Sequence, residues 1–314
     1  MKTSTIAVFG TGTIGSSWAA LFAAHGFTVR LFDTHADAIA AGMEKARTML
    51  ETMCEPDEVS EAAQRLKPAA TASAALQGVS FVQESVLERY TIKQEAHELI
   101  ERYAPQSAIV ASSSSGLLAN KMQLVFRHPE RFLVAHPFNP PHLIPLVELV
   151  AGPRTSETCL RAAFDLYTSM KRVPVILKKE IPGHLANRIA AAVWREAIDL
   201  VASGAATLED VDKALYAGPG MRWAFMGQHL IYHLNGGRGG YAQFFEHFGP
   251  ALESYLADMA TWTTVPDAAR KEVLAQMAKA VEGKSIPQLE AWRDERLKAL
   301  ARLFYSEEPV LSRS

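Results

Sequence analysis

Cysteine is nearly missing from this 314-residue chain, which has only Cys54 and Cys159. Two isolated cysteines exclude a disulfide framework and a cysteine-based metal module, and they suit a reducing compartment. An excess of one charge is missing too. Lys and Arg number 32 against 34 Asp and Glu, for a formal net charge of −2, which offers no bulk attraction to nucleic acid or to a membrane surface. No apolar run reaches the 18 residues read as a membrane-crossing helix. The apolar run after Thr5 stops at Gly10, too short for the core of a secretory signal. No internal repeat or low-complexity tract stands out, and the longest run of one residue is the four serines 112–115. These absences predict a cytoplasmic protein with no nucleic-acid and no membrane partner. What is plentiful is apolar sequence, 48% of the chain, enough to build one or two domains with a substantial core.

The first half alternates two kinds of segment. Residues 5–9 (TIAVF), 28–33 (TVRLFD), 79–83, 108–112, 132–135, 146–150 and 173–178 read as short strands. Between them, 14–25, 37–66 and 91–102 read as helices. Such alternation predicts a parallel sheet covered on both faces. After Pro182 and Gly183 the strand-like runs cease. Helical sequence continues to about Ala217, a glycine- and aromatic-rich segment spans 218–250, and helical sequence resumes at 251–260 and 285–303.

Gly10, Gly12 and Gly15 form a G-x-G-x-x-G string that follows the first strand and opens the first helix. In that context Gly10 permits a tight turn, Gly12 lets a pyrophosphate approach the backbone, and Gly15 lets helix and strand pack closely. The N–H groups at the helix start, around Thr13 and Ile14, then face the phosphates with the positive end of the helix dipole. Asp33 ends the second strand, where a carboxylate accepts hydrogen bonds from a ribose and repels the extra phosphate of NADP. Thr34 and His35 supply no arginine for that phosphate. The expected cofactor is therefore NAD; a plain glycine turn followed by a capping aspartate is the simpler alternative.

Three further features lie in the first half. The serines 112–115 and Gly116 follow a strand, where ligands of an open α/β sheet bind; a helix-capping polar loop is the other reading. His136 ends a strand-like run. Glu148 sits among Leu146, Val147, Leu149 and Val150, where an unpaired carboxylate is costly. Pro137, Pro140, Pro141 and Pro145 between them favour an extended, turning path, and an out-and-back path brings Glu148 beside His136. An imidazole oriented by a carboxylate is a general base for a secondary alcohol; a structural His–Glu pair is the alternative.

These strings together resemble the L-3-hydroxyacyl-CoA dehydrogenase family over nearly the whole chain. The resemblance rests on the glycine motif, the serine segment, His136-Pro137-Phe138-Asn139-Pro140, Leu146-Val147-Glu148-Leu149, and Pro182-Gly183-His184-Leu185-Ala186-Asn187-Arg188. It implies a fold class, an α/β Rossmann-like dinucleotide-binding domain over residues 1–183 followed by an all-α C-terminal domain over 184–314 that serves substrate binding and homodimer formation. It also implies that His136 and Glu148 are the catalytic dyad, that Ser115 and Asn187 hydrogen-bond the reacting oxygen and the base, and that Glu88 and Lys93 lie near the nicotinamide end of NAD.

Two features bear on the substrate. Residues 44–67 carry four basic and six acidic side chains, a poor surface for the polyanionic phosphates of CoA. Residues 223–248 hold seven aromatics in 26 positions; they either cage a quaternary ammonium by cation–π attraction or pack between helices, with Trp223 and Phe225 the expected pocket residues. The 218–250 segment is similar to that of the family branch acting on free 3-hydroxy carboxylates, L-carnitine above all and L-gulonate next, with a short-chain hydroxyacyl-CoA as the third candidate. A non-catalytic, crystallin-like NAD-binding protein is the alternative from another class.

Overall fold

The computed structural model describes residues 4–304. Contacts divide the chain into two compact units, Met1–Leu185 and Ala186–Ser314.

In the first unit the elements run β1 (Thr5–Phe9), α1 (Thr13–Ala24), β2 (Thr28–Phe32), α2 (Ala36–Met53), α3 (Pro56–Gln64), β3 (Leu66–Pro68), α4 (Ala72–Leu76), β4 (Phe81–Glu84), α5 (Tyr90–Tyr103), β5 (Ile109–Ser112), α6 (Ala119–Met122), β6 (Phe132–Pro137), β7 (Leu146–Ala151), α7 (Glu157–Ser169) and β8 (Val173–Leu177). The eight strands form one sheet in the order β3-β2-β1-β4-β5-β6-β7-β8. Its two faces carry separate cores. Trp18, Phe22, Leu31, Phe81 and Tyr167 belong to one, and Phe9, Leu76, Val82, Val110 and Phe132 to the other. The near-continuous apolar strands are what a sheet buried on both faces requires.

Two expectations change here. Residues 37–66, expected as one helical stretch, break after Met53: Glu55 caps the next helix, closing a capping box with Glu58, and Pro56 takes its first position, where a missing N–H costs nothing. The sheet is parallel through β6, but β7 runs antiparallel to it. Only eight residues join the two strands, too few for the crossover a parallel pair needs. That reversal decides the site, because it sets His136 directly opposite Glu148 in register.

The second unit holds α8 (Ala186–Ala202), α9 (Leu208–Ala217), α10 (Pro219–Trp223), α11 (Gln228–Asn235), α12 (Gly240–Asp258), α13 (Asp267–Ala280) and α14 (Ile286–Phe304). The helix expected from 251 starts eleven residues earlier and runs through Pro250; α13 had no expectation. Side chains tie the ends together: the Ala260 N–H donates to Glu196 (3.1 Å), Trp262 Nε1 to Asp199 (3.1 Å) and the Leu208 N–H to Gln276 (2.7 Å).

Candidate active site

The loop from β1 to α1 is built around its glycines. Gly10 adopts φ 94°, a left-handed conformation natural to glycine, and a Cβ there would meet the Ser85 backbone at 2.7 Å. A Cβ on Gly15 would stand 1.9 Å from the Gly10 carbonyl oxygen. The protein's own packing demands both. Gly12 differs, since nothing lies within 4 Å of where its Cβ would be. That open space, beside a helix start with no side-chain cap and no acidic residue in its first turn, suits a pyrophosphate on the N–H groups of the Thr13–Ile14 turn.

Asp33 braces this loop. Its Oδ2 accepts from the Thr11 N–H (2.8 Å) and hydroxyl (3.2 Å), and its Oδ1 from the Thr34 N–H (2.8 Å). Beside it opens a pocket lined by Ile39, Ala72, Leu99 and Tyr103. A mostly apolar lining next to the Asp33 carboxylate suits the adenosine half of NAD, and among the described residues no arginine lines it to receive a 2′-phosphate.

The serine segment leaves β5 at the carboxyl edge of the sheet, and Glu88 collects it. Glu88 Oε1 accepts from the Ser114 hydroxyl (2.6 Å) and from the backbone N–H groups of Ser115 (2.9 Å), Gly116 (2.9 Å) and Leu117 (3.3 Å). Burial alone would push the Glu88 carboxyl up, but the Ser114 hydroxyl, the Lys93 ammonium and these N–H groups hold it below its ordinary value. Ser115 itself is exposed. Lys93 is enclosed, its side chain 1% exposed between Glu84 (2.8 Å) and Glu88 (3.4 Å).

His136 and Glu148 meet across the β6–β7 pair, with Nδ1 2.8 Å from Oε2. The other Glu148 oxygen accepts the Leu185 N–H at 2.8 Å. A carboxylate accepts only, so Nδ1 carries the hydrogen and Nε2 keeps its lone pair. Glu148 is wholly buried and His136 nearly so, and in a low dielectric such a pair is strong. The Pro182–Gly183 turn contributes more than the Leu185 N–H. Gly183 (φ 75°) and His184 (φ 50°) are both left-handed, and this places the His184 ring 5.1 Å from that of His136. His184 Nε2 lies 3.4 Å from the Ser114 carbonyl oxygen, so His184 spans from the serine segment to the dyad. Burial, and next the neighbouring His136, lower its pKa.

The remaining candidates lie in the second unit. Asn187 is half-buried in the first turn of α8. Among the aromatics, Tyr232 stacks on Phe244 (4.2 Å), Tyr241 on Phe245 (4.7 Å) and Phe244 on Phe248 (5.3 Å). Those faces are taken by one another and pack α11 against α12. Trp223 and Phe225 stand apart, 41% and 62% exposed, with Trp223 Nε1 donating to Gln228 at 2.6 Å.

Some site residues carried no expectation. His184 hides inside a motif read only for its Asn187. Glu84 lies beneath Glu88 and Lys93, and Ser17 of α1 exchanges two bonds with His142 between β6 and β7, each 2.9 Å. Burial alone would raise the Glu84 carboxyl, yet the charge of Lys93 and the hydrogen bond from His97 hold it at about 2. By linkage, its contribution to stability is complete above its ordinary pKa of 4.5 and is lost as the pH falls toward 2.

Residues 5–181 match the family model of the 3-hydroxyacyl-CoA dehydrogenase NAD-binding domain, and 183–281 match that of the C-terminal domain. An L-carnitine dehydrogenase of Burkholderia mallei is 41% identical, covering 94% of this chain and 92% of its own. One from Nocardiopsis dassonvillei is 39% identical, covering 95% and 91%. Among solved structures, the NAD-dependent 5-formyl-3-hydroxy-2-methylpyridine 4-carboxylic acid 5-dehydrogenase superposes with a TM-score of 0.82 at 28% identity, covering 98% of this chain and all of its own. The 3-hydroxybutyryl-CoA dehydrogenase of Escherichia coli gives 0.65 at 26%, covering 79% and 53%. The chain therefore belongs to the 3-hydroxyacyl-CoA dehydrogenase family, and it is an NAD-dependent dehydrogenase built from that family's NAD-binding and C-terminal domains.

Proposed function

We propose that the protein oxidises the 3-hydroxyl of L-carnitine to the ketone of 3-dehydrocarnitine. The chemistry rests on one observation, the 2.8 Å contact between His136 Nδ1 and a buried Glu148, which leaves Nε2 as the base. His136 Nε2 takes the hydroxyl proton, Glu148 stabilises the imidazolium, and Ser115 and Asn187 hydrogen-bond the reacting oxygen. Bound along Gly10, Gly12, Thr13, Ile14, Gly15 and Asp33, with Glu88 toward its nicotinamide end, NAD supplies the hydride acceptor. Lys93, enclosed as it is, acts through Glu88.

The substrate rests on the relatives and on two surfaces. Trp223 and Phe225 keep open aromatic faces, which attract a trimethylammonium by on the order of 0.5–2 kcal/mol each. The α2–α3 excursion offers little to a CoA phosphate. Of its four cations, Arg47 pairs with Glu44 (3.4 Å), and Arg65 pairs with Glu61 and donates to the Ala23 carbonyl oxygen (3.0 Å). The test is NADH formation at 340 nm with L-carnitine, L-gulonate and L-3-hydroxybutyrate, with acetoacetyl-CoA run in reverse. Carnitine is expected to turn over with the highest kcat/KM. A higher value for gulonate or the CoA ester overturns the substrate and leaves the dyad standing.

The second unit presents Trp194, Tyr255, Leu256 and Trp292 to solvent, each more than half exposed. We assign these exposed apolar side chains to the contact with a second copy in a cytoplasmic homodimer, where their burial would be favourable. Sedimentation at micromolar concentration is expected to give twice the chain mass, and a monomer there rejects the assignment.

A further inference from the structure

Beneath the serine segment lies a chain of charges whose deepest member, Glu84, has no part in the chemistry proposed above. Glu84 ends β4, opposite Ser112 of β5 in register, and is wholly buried. Its Oε1 accepts from Lys93 Nζ (2.8 Å) and the Val86 N–H (2.8 Å), and its Oε2 accepts from the Ser112 hydroxyl (2.6 Å) and lies 3.1 Å from His97 Nε2. Lys93 and His97 stand one turn apart on the buried face of α5, so both reach the same carboxylate. Lys93 Nζ also donates to the Val86 carbonyl oxygen (3.3 Å) and lies 3.4 Å from Glu88 Oε2, and the other Glu88 oxygen takes the N–H groups of Ser115, Gly116 and Leu117.

A buried charge network is expensive unless every member is partnered. An apolar core would have filled this volume without that cost, so its retention asks for a role. The Ser115–Leu117 turn has no strand or helix of its own; apart from the Ser114 hydroxyl, which accepts from the Leu117 N–H (3.0 Å), its N–H groups find their acceptor among the described residues in Glu88. Lys93 bridges the two carboxylates, so the anion of Glu84 bears on where Lys93 sits and, through it, on where Glu88 points.

We infer that Glu84 is a positioning residue, a buried carboxylate that fixes the Ser115 turn through Lys93 and Glu88. The inference rests on the reading of Ser115 as a ligand of the reacting oxygen. Glu84→Gln keeps the size of the side chain and one acceptor but removes the anion that holds Lys93. Misplacement of a substrate-positioning group by about 1 Å can cost around 10²-fold, so kcat/KM is expected to fall about 10–100-fold. In a Ser115→Ala background the same change is expected to cost no more than about twofold, because residues acting through one group are not additive. Full multiplicative loss in the double variant overturns the inference.

A second readout does not depend on Ser115 taking part in turnover. Amide hydrogen exchange at Ser115, Gly116 and Leu117 is expected to speed up at least tenfold in folded Glu84→Gln, with β1 and α1 unchanged. Unchanged protection of those three amides refutes the positioning role, whatever Ser115 does. A silent Ser115→Ala with faster exchange in Glu84→Gln would instead fault the role of Ser115 alone. Should Glu84→Gln fail to fold, the charge-free pair Glu84→Gln with Lys93→Met removes both ions together, a change buried pairs tolerate better than loss of one partner. The same faster exchange is expected of it, and the same unchanged protection refutes the role.

Discussion

Replacing His136 with alanine is expected to lower kcat by about 10²–10⁴-fold, the range supplied by a positioned general base, while leaving NAD affinity intact. The dyad lies on β6 and β7, whereas the glycine loop and Asp33 lie at β1 and β2, with β4 and β5 between them in the sheet. Removing an imidazole from β6 leaves the Asp33 bonds to Thr11 and Thr34 in the cofactor loop in place. Stability falls as well, since Glu148, wholly buried, loses one hydrogen-bonding partner and keeps the Leu185 N–H, and a lost bond to a buried carboxylate is costly. Turnover is therefore expressed per folded molecule, with folding followed by circular dichroism and NAD binding by calorimetry. A variant that binds NAD and turns over within tenfold of the parent would remove His136 from the role of base. Loss of NAD binding together with turnover would mean the change had disturbed the whole sheet.

The parts of this site legible in the sequence are those whose chemistry leaves a local signature. The glycine loop could be read because turn, helix start and acidic partner fall within 24 residues, and each glycine answers a separate steric or ligand demand. The His136–Glu148 contact could be read because four prolines between two strand-like runs permit a short return and little else. The Glu84 network could not, although one trace was there. Lys93 and His97, four apart, share a helix face with Ala96 and Ile100, and two polar groups on a buried stripe demand a buried partner. Nothing local says that the partner is Glu84, because the contact exists only once β4 and α5 have packed. His184 was obscured in the same way, since its place beside His136 follows from two successive left-handed residues that no periodicity announces. The antiparallel turn of β7 lay between these cases: the short connection was visible and its consequence for strand direction was computable, yet alternation of elements elsewhere pointed to a parallel sheet.

Glu148→Gln is the second large effect, and it separates orientation from mere occupancy. Glutamine matches glutamate in shape, so β7 and the core around it are expected to stay as they are. The carboxylate satisfies two donors at once, the Leu185 N–H on one oxygen and the His136 Nδ1–H on the other, each at 2.8 Å. An amide has one acceptor and one donor end. With its oxygen toward Leu185, its NH2 faces Nδ1, which must then surrender its hydrogen and become the acceptor. The proton moves to Nε2, and the base can no longer take one from substrate. With its oxygen toward Nδ1, the NH2 opposes the Leu185 N–H, two donors face each other in a buried site, and the Pro182–Leu185 turn that carries His184 is pushed away. The first arrangement loses the working tautomer, the second keeps the hydrogen on Nδ1 only by displacing that turn, and the anion that would stabilise an imidazolium is gone from both. A drop in kcat of about 10²–10⁴-fold is expected, as for other carboxylates that fix a catalytic tautomer, with NAD binding and the thermal midpoint nearly unchanged. Nitrogen-15 spectra of the His136 ring distinguish the cause: hydrogen on Nδ1 in the parent and on Nε2 in the variant is the expected pair. Slow turnover with the hydrogen still on Nδ1 would assign the loss to the missing negative charge. Undiminished turnover would leave Glu148 a structural partner of His136 and nothing more.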